Sequence, residues 1–376
     1  MIDDSHVFQE IVRRPGLVTC HCLVLLLIVG LTSATVFAVE MPALYTAEVT
    51  LDAEEADPTA AAYKRGLWEI VVRVTGSELS EDAPLFGDYF PNAARYVLQF
   101  RQGADDTLSI TFDGPAIEKA LRNAGETVWG ADRPLTLVWL AVDWGEGERE
   151  IIAANDPERL PDAARSIDRN RLLRERVQET ASRRGIPVAF PLLDTEDLQN
   201  VSFTDIWGGF DEQLLQASRR YQADAVLIGR VRAGAIYRNR WTYYLGGVKE
   251  EWGGQPENAA HLLADALAAE FAFSSNAPLE TVTLKIAGID SVRAYGTVQK
   301  YLKQLSLIDR FEVRTVSGDE ISYEVRLRGG SSRLRRVLEI SDILMPVENF
   351  DEPLRLDPVP VTDDLDFMYR APFISY

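Results

Sequence analysis

The sequence predicts an α/β and α+β fold of three small sheet-plus-helix units in tandem, after a signal peptide and before an acidic, proline-rich tail. Three observations support this prediction. Segments in which apolar residues alternate are separated by segments in which they recur every three or four residues, which is the pattern of strands alternating with amphipathic helices. The chain has 376 residues, 46% of them hydrophobic, and one hydrophobic core seldom serves so long a chain. An apolar run also lies close to the amino terminus.

The amino-terminal segment, residues 1–38, has the pattern of a secretory signal. Two arginines precede an apolar run at 23–31, and Ala38 is the small residue that a signal peptidase requires. A run of about nine residues is short of the roughly 20 that cross a bilayer as a helix. We therefore expect cleavage after Ala38, a periplasmic location and no membrane span in the mature chain. The alternative is an uncleaved anchor that uses residues 17–37.

The first unit, residues 40–128, is predicted to be an α+β domain. Its elements are an alternating strand at 45–51, a helix from 58 to 75, strands at 96–100 and 107–112, and a helix from 115 to 123. Asp57 can cap the long helix, Pro58 fits its first turn, and Gly76 can end it.

The middle unit, residues 134–275, is predicted to be an α/β domain. Its strands are expected at 135–142, 186–193, 225–231 and 237–245, with a partner strand that ends near Trp252, and its helices at 168–184, around 214–221 and at 260–271. Strands that alternate with helices indicate a mixed or partly parallel sheet.

The third unit, residues 280–345, is predicted to be a βαββα domain. Strands are expected at 282–286, 311–316 and 322–327, and helices at 292–305 and 334–340. From 346 to 376 the chain is rich in proline and acidic residues, which predicts an extended tail.

Composition excludes several classes of function. Both cysteines and two of the three histidines lie in residues 1–38, so the mature chain is expected to hold only His261 and no disulfide. Zinc, iron and copper sites built from His and Cys would lack ligands, and we expect no metal and no cofactor. The net charge of −19 disfavours nonspecific nucleic-acid binding. No glycine motif for nucleotide phosphates occurs.

Two groups of residues are candidates for function. Asp194, Glu196 and Asp197 follow a predicted strand end, where α/β proteins place ligand sites. An aromatic set could line a groove for a sugar or peptide, although the alternation along 237–245 favours core packing. This set comprises Trp207, Tyr237, Trp241, Tyr243 and Trp252. The candidate binding surface comprises Trp207, Arg219, Tyr221, Arg230, Trp241, Asp194 and Asp197.

The first and middle units together resemble an uncharacterised family of secreted proteobacterial proteins, domain of unknown function 2066. The likeness is carried by 74–76, 137–143, 184–187, 191–194, 205–208, 217–221, 229–230 and Trp241. The resemblance implies export and no particular mechanism. Residues 283–305 also resemble the small domains of envelope assembly proteins, at the level of fold only.

These observations predict a non-catalytic periplasmic adaptor or assembly factor that binds an envelope protein or glycan. The alternative is a hydrolase of cell-wall or polysaccharide material that uses carboxylates near Asp194 and Asp197, because two carboxyl groups suffice for glycoside hydrolysis. The sequence does not specify an oligomeric state.

Overall fold

The first sheet and its long helix form much as the sequence predicts. The structure is a computed structural model that describes residues 44–77, 84–103, 106–155, 164–234, 238–246, 248–274, 276–341, 343–347 and 364–370. The first elements are β1 (Thr46–Thr50), α1 (Pro58–Thr75), α2 (Pro84–Tyr89), β2 (Val97–Gln102), β3 (Thr107–Phe112) and α3 (Gly114–Ala124). The strands form an antiparallel sheet in the order β1-β3-β2. The Asp57 carboxylate accepts a hydrogen bond from the Ala60 amide, and Gly76 ends α1 with φ of 69°.

The central sheet is mixed. Its strands are β5 (Thr136–Gly145), β6 (Glu148–Ile151), β7 (Val188–Ala189), β8 (Ala225–Arg232), β9 (Arg240–Leu245) and β10 (Val248–Gly253). They lie in the order β10-β9-β8-β5-β6, and β7 also pairs with β5. Strand β5 pairs in parallel with β7 and β8, and the other pairs are antiparallel.

Two predicted strands of this sheet differ from the structure. The strand expected at 186–193 is paired only at Val188–Ala189, between two prolines that cannot donate a ladder hydrogen bond. The strand expected at 237–245 is described from Arg240 onward, and Tyr237 lies outside the described residues.

Helices cover both faces of the central sheet. These helices are α4 (Ala164–Arg183), α5 (Thr195–Asn200), α6 (Phe203–Gly208), α7 (Asp211–Ser218) and α8 (Pro256–Phe271). Helices α4 and α8 bury their apolar stripes in a large core that also includes the first and third sheets. On the opposite face, α6 and α7 enclose a smaller core around Trp139, whose indole nitrogen donates to the Ser218 hydroxyl at 2.9 Å.

The third sheet contains a strand that the sequence predicts to lie in the tail. Its elements are β12 (Leu279–Ala287), α9 (Val292–Gln304), β13 (Ile308–Ser317), β14 (Glu320–Arg328), α10 (Ser331–Glu339), β15 (Leu344–Pro346) and β16 (Asp364–Tyr369). The strand order is β13-β14-β12-β16-β15, so β16 pairs in parallel with β12. Leu365 and Phe367 of β16 are each 1% exposed. Residues 364–369 are therefore not a free tail, because their alternating apolar side chains complete the core beside β12.

Contacts between distant segments join the first and middle units. Strand β4 (Thr127–Val128) pairs with β11 (Phe273–Ser274). Arg184 is buried at the end of α4, where it donates to the Gly76 carbonyl oxygen at 2.9 Å and to Asp265 Oδ1 at 2.6 Å. Val39–Tyr376 accordingly forms one compact unit. The division into three domains stays a prediction, as does the signal in residues 1–38, which lie outside the described part of the chain. In that described part, no helix has the length and apolar character needed to cross a membrane.

Candidate functional site

Two of the predicted acids lie at the start of α5, where the backbone positions them. The Asp194 carboxylate caps the helix by accepting a hydrogen bond from the Asp197 amide at 3.1 Å. Asp197, in the first turn, accepts from the Leu193 amide at 2.8 Å. This reciprocal capping explains why acids occur at these two positions. Asp197 is 1% exposed, whereas the side chain of Asp194 is 43% exposed.

Arg220 and Tyr221, in the short helical turn after α7, donate hydrogen bonds to Asp194 and Asp197. Arg220 donates from Nη1 and Nη2 to the two oxygens of Asp194, both at 2.7 Å, and from Nη1 to Asp197 Oδ1 at 3.0 Å. The Tyr221 hydroxyl donates to Asp197 Oδ2. We call Asp194, Asp197, Arg220 and Tyr221 the acid–arginine cluster. Its carboxylates are thus occupied by charge-assisted hydrogen bonds.

The electrostatics of the cluster favour an ionised Asp194. Hydrogen bonds from Arg220 hold the pKa of Asp194 well below its usual range. Burial, and then the hydrogen bond to Asp197, raise the pKa of the Tyr221 hydroxyl above its usual range. The Asp194 carboxylate therefore stays charged at neutral pH, whereas a general acid must hold a proton there.

The cluster also holds a strained backbone in place. Leu193 has φ of 51° and Gln222 has φ of 50°, a left-handed conformation that non-glycine residues seldom adopt. Leu193 donates its amide to Asp197, and the Leu192 amide donates to the Tyr221 hydroxyl at 2.8 Å. The hydrogen bonds of the acid–arginine cluster therefore fix the segment between β7 and α5.

A polar hollow of about 340 Å³ opens beside the cluster. It is lined by Glu196, Asp197, Asn200, Gln213, Gln216, Ala217 and Arg220. Three of these seven residues are carboxamides, and no aromatic ring belongs to the lining. A glycosidase site would be expected to pair carboxyl groups with a surface for the sugar ring, and this hollow has no aromatic side chain for that purpose.

Trp207 lies outside the acid–arginine cluster, on the face of the central sheet that α6 and α7 cover. It stacks on Phe203 with ring centroids 5.1 Å apart and ring planes 19° apart. The guanidinium carbon of Arg149 lies 5.8 Å from the Phe203 centroid, and that of Arg232 lies 5.5 Å from the Trp207 centroid. We call Arg149, Phe203, Trp207 and Arg232 the arginine–aromatic stack. No spacing rule in the sequence joins these four residues, because they come from two strands and one helix.

Arg230 is occupied by internal hydrogen bonds. Its guanidinium donates to the Ile206 carbonyl oxygen at 2.6 Å, to the Thr242 hydroxyl at 3.1 Å and to Asp211 Oδ1 at 2.9 Å. The hydroxyl of Tyr244 donates to the second oxygen of the same aspartate at 2.6 Å. Arg230 therefore attaches α6 and α7 to the sheet. Its neighbour in the candidate set, Arg219, is exposed in the short helical turn after α7.

Trp241 does not lie on the candidate surface, which corrects its inclusion there. It is 1% exposed and packs in the large core, on the face of the sheet opposite Trp207. It pairs in register with Gly229, whose missing side chain leaves the space that the indole fills. Tyr243 is buried in the same core and lies 6.0 Å from Trp252, so these aromatic side chains pack internally and form no groove with Trp207.

His261 is engaged by the buried arginine of α4. Arg184 Nη1 lies 3.0 Å from His261 Nδ1. A guanidinium only donates, so Nδ1 is the acceptor in this contact. Among the described residues, no group of three or more His, Cys, Asp or Glu side chains is placed to hold a metal ion.

One comparison with known proteins finds a match. The model of a family described as a domain of unknown function (DUF8605) matches residues 38–130, the region of the first predicted unit. The chain is thus similar to an uncharacterised family there, as the resemblance implied, although the family carries a different number from the expected 2066. No curated protein and no solved structure matches the chain.

Proposed function

We propose that this protein is a non-catalytic component of the cell envelope that binds another envelope component, either a protein or a glycan. One observation carries the proposal: the acids best placed for hydrolysis are occupied by structural hydrogen bonds. Asp197 is 1% exposed and accepts from Leu193, Tyr221 and Arg220. A base or nucleophile needs a free lone pair directed at a substrate, and burial removes that access.

Asp194 is equally unsuited to act as a general acid. A general acid works near neutral pH when its pKa is raised. Arg220 has the opposite effect, because its two hydrogen bonds lower the pKa of the Asp194 carboxyl. The acid–arginine cluster therefore supports a binding protein over a hydrolase.

The proposed compartment is the periplasm, reached by cleavage after Ala38. The arginines and the apolar run in residues 1–38 support it. The resemblance of the first and middle units, residues 40–275, to domain of unknown function 2066 belongs to the same proposal, because that family consists of secreted proteins. One experiment tests both the periplasmic location and the cleavage after Ala38: fractionation of cells that express the full chain, with mass determination of the product. An unprocessed product in the cytoplasm would contradict them.

Crosslinking in intact cells tests the binding function. We expect a discrete crosslinked species with an envelope protein or glycan, and a control variant should form it as well. Arg101→Gln is a suitable control, because this residue lies on the edge strand β2 of the first sheet. If no partner is enriched over mock-treated cells, the binding proposal fails.

A hydrolysis assay tests the alternative. The purified protein would be incubated with peptidoglycan and with common glycans, beside the variants Asp194→Asn and Asp197→Asn. We expect no turnover by any of them. Turnover by the wild-type protein that both substitutions abolish, with both variants still folded, would establish the hydrolase in place of the binding protein.

A further inference from the structure

The face of the central sheet that α6 and α7 cover has several arginines at one end. Asp143 of β5 pairs in register with Arg149 of β6 and with Arg232 of β8. Paired residues point to the same face of a sheet, so both arginine side chains leave the sheet on one side, from strand positions two strand spacings or about 10 Å apart. On the next strand, Arg240 pairs in register with Arg230. The series continues to Arg238, just before β9.

These arginines exceed the acids that could neutralise them. Asp143 lies 3.6 Å from Arg232, and that carboxylate is mostly buried. Within the described residues, Arg149, Arg238 and Arg240 form no ion pair. The acids of β6 lie on the other face of the sheet, where they bind side chains of α4. Asp211 and Glu251 on this face bind Arg230 and Lys249. Arg149, Arg238 and Arg240 therefore remain as a local excess of positive charge on a chain whose net charge is −19.

The aromatic rings prepare the arginines for a planar anion. A guanidinium that lies over an aromatic ring keeps its N–H groups free at the edge of its plane, where they fit the two oxygens of a carboxylate. Contact with a ring also restricts the long side chain before binding, which reduces the entropy lost when a ligand binds. Phe203 and Trp207 provide these rings for Arg149 and Arg232 respectively.

We propose that the arginine–aromatic stack, together with Arg238 and Arg240, binds a short acidic segment of a partner protein. In the polyproline II conformation, which has three residues per turn, side chains three residues apart lie on the same side of the chain and about 9 Å from each other. Carboxylates at this spacing reach both stacked arginines, whose strand positions are about 10 Å apart. A short segment is favoured over an anionic bilayer or a long polyanion, because the acidic remainder of this chain would repel an extended negative surface. The inference rests on the proposed binding function, which it narrows to one surface and one class of partner.

Peptide binding tests the inference directly. The probe is a fluorescein-labelled peptide of about twelve residues with Asp-Ser-Gly repeated, which places successive carboxylates about 9 Å apart on one side in the polyproline II conformation. Its control replaces every Asp with Asn. Anisotropy would be measured on the purified processed product of the full chain at about 50 mM salt, where screening is weak. We expect binding of the Asp peptide only, and affinity that falls as salt rises.

Variants assign the binding to this surface. Arg149→Gln combined with Arg232→Gln should weaken binding at least about tenfold, since both charge-assisted contacts are lost. The matched control, Arg101→Gln combined with Arg293→Gln, removes two exposed arginines elsewhere and should change affinity less than about twofold. Unchanged urea unfolding would confirm that the variants fold.

Three outcomes would overturn the inference. The Asn peptide could bind as tightly as the Asp peptide, the Arg149→Gln and Arg232→Gln double variant could bind the Asp peptide with the affinity of the wild type, or neither peptide could bind. Binding to phosphatidylglycerol vesicles through the same arginines, without peptide binding, would also overturn it by identifying a lipid surface. Failure here is distinct from failure of the proposed function. If the Arg149 and Arg232 variant still crosslinks its partner in cells, the binding function stands and only this surface is wrong.

Discussion

Replacing Arg220 by methionine should destabilise the fold far more than the same change at its neighbour Arg219. Arg220 is the only cation bound to Asp197 among the described residues, and Asp197 is 1% exposed. Removing one partner of a buried ion pair costs about 3–5 kcal/mol. Asp197 keeps its hydrogen bonds from Leu193 and Tyr221, so we expect the lower end, about 3 kcal/mol. The bond to Asp194 adds little, because solvent screens that exposed carboxylate.

Arg219 provides the matched control. It is exposed and forms no ion pair with the described residues, so Arg219→Met should change the free energy of unfolding by less than about 0.5 kcal/mol. Urea unfolding followed by tryptophan fluorescence measures both variants, and about 3 kcal/mol corresponds to a midpoint shift of about 1 M. If Arg219→Met and Arg220→Met shift the midpoint equally, the cluster does not stabilise the fold as described.

Two further predictions concern packing and pH. Gly229→Ala should be strongly destabilising, since its Cβ would lie 2.3 Å from a ring carbon of Trp241 and 2.7 Å from Leu140 Cδ1. We expect a lower thermal unfolding midpoint, which the second substitution Trp241→Phe should partly restore. A midpoint equal to that of the wild type would show that the indole does not occupy this space. Arg220 lowers the pKa of Asp194 in the folded state, so the stability gained is present above the ordinary value of 3.8 and is lost as the pH falls through the folded value. The difference in midpoint between wild type and Asp194→Asn should therefore shrink from about pH 5 to about pH 2, whereas a constant difference would argue against this ion pair.

Much of the fold could be predicted because it depends on local patterns. Asp57 and Gly76 delimit α1 where their capping roles place them, and the apolar stripe of α8 packs on the sheet as its spacing indicates. Helix caps and amphipathic stripes involve residues within a few positions of each other, so one sequence contains the whole signal. Strand β16 was missed, because neighbouring prolines and acids outweighed the short alternation that ends at Phe367.

The candidate site could be predicted only in part. The sequence identified Asp194, Asp197 and Tyr221, and the structure brings these three together. The sequence did not distinguish Arg219 from Arg220. These neighbouring arginines differ only in the direction in which the helical turn orients their side chains. The stack of Arg149 and Arg232 with two rings gave no local signal, since sheet register and one helix bring its members together.

The amino-acid sequence by itself determined which side chains are available: one histidine and no cysteine after residue 38, and an excess of acids. It also determined the alternation of strands and helices. Tertiary structure decided which of these side chains contact each other and which are buried. Asp194 meets Arg220 across 26 positions, and Trp241 is buried because Gly229 lies on the adjacent strand. Composition is a property of the chain, whereas ion pairing and burial depend on which distant residues the strand order places side by side.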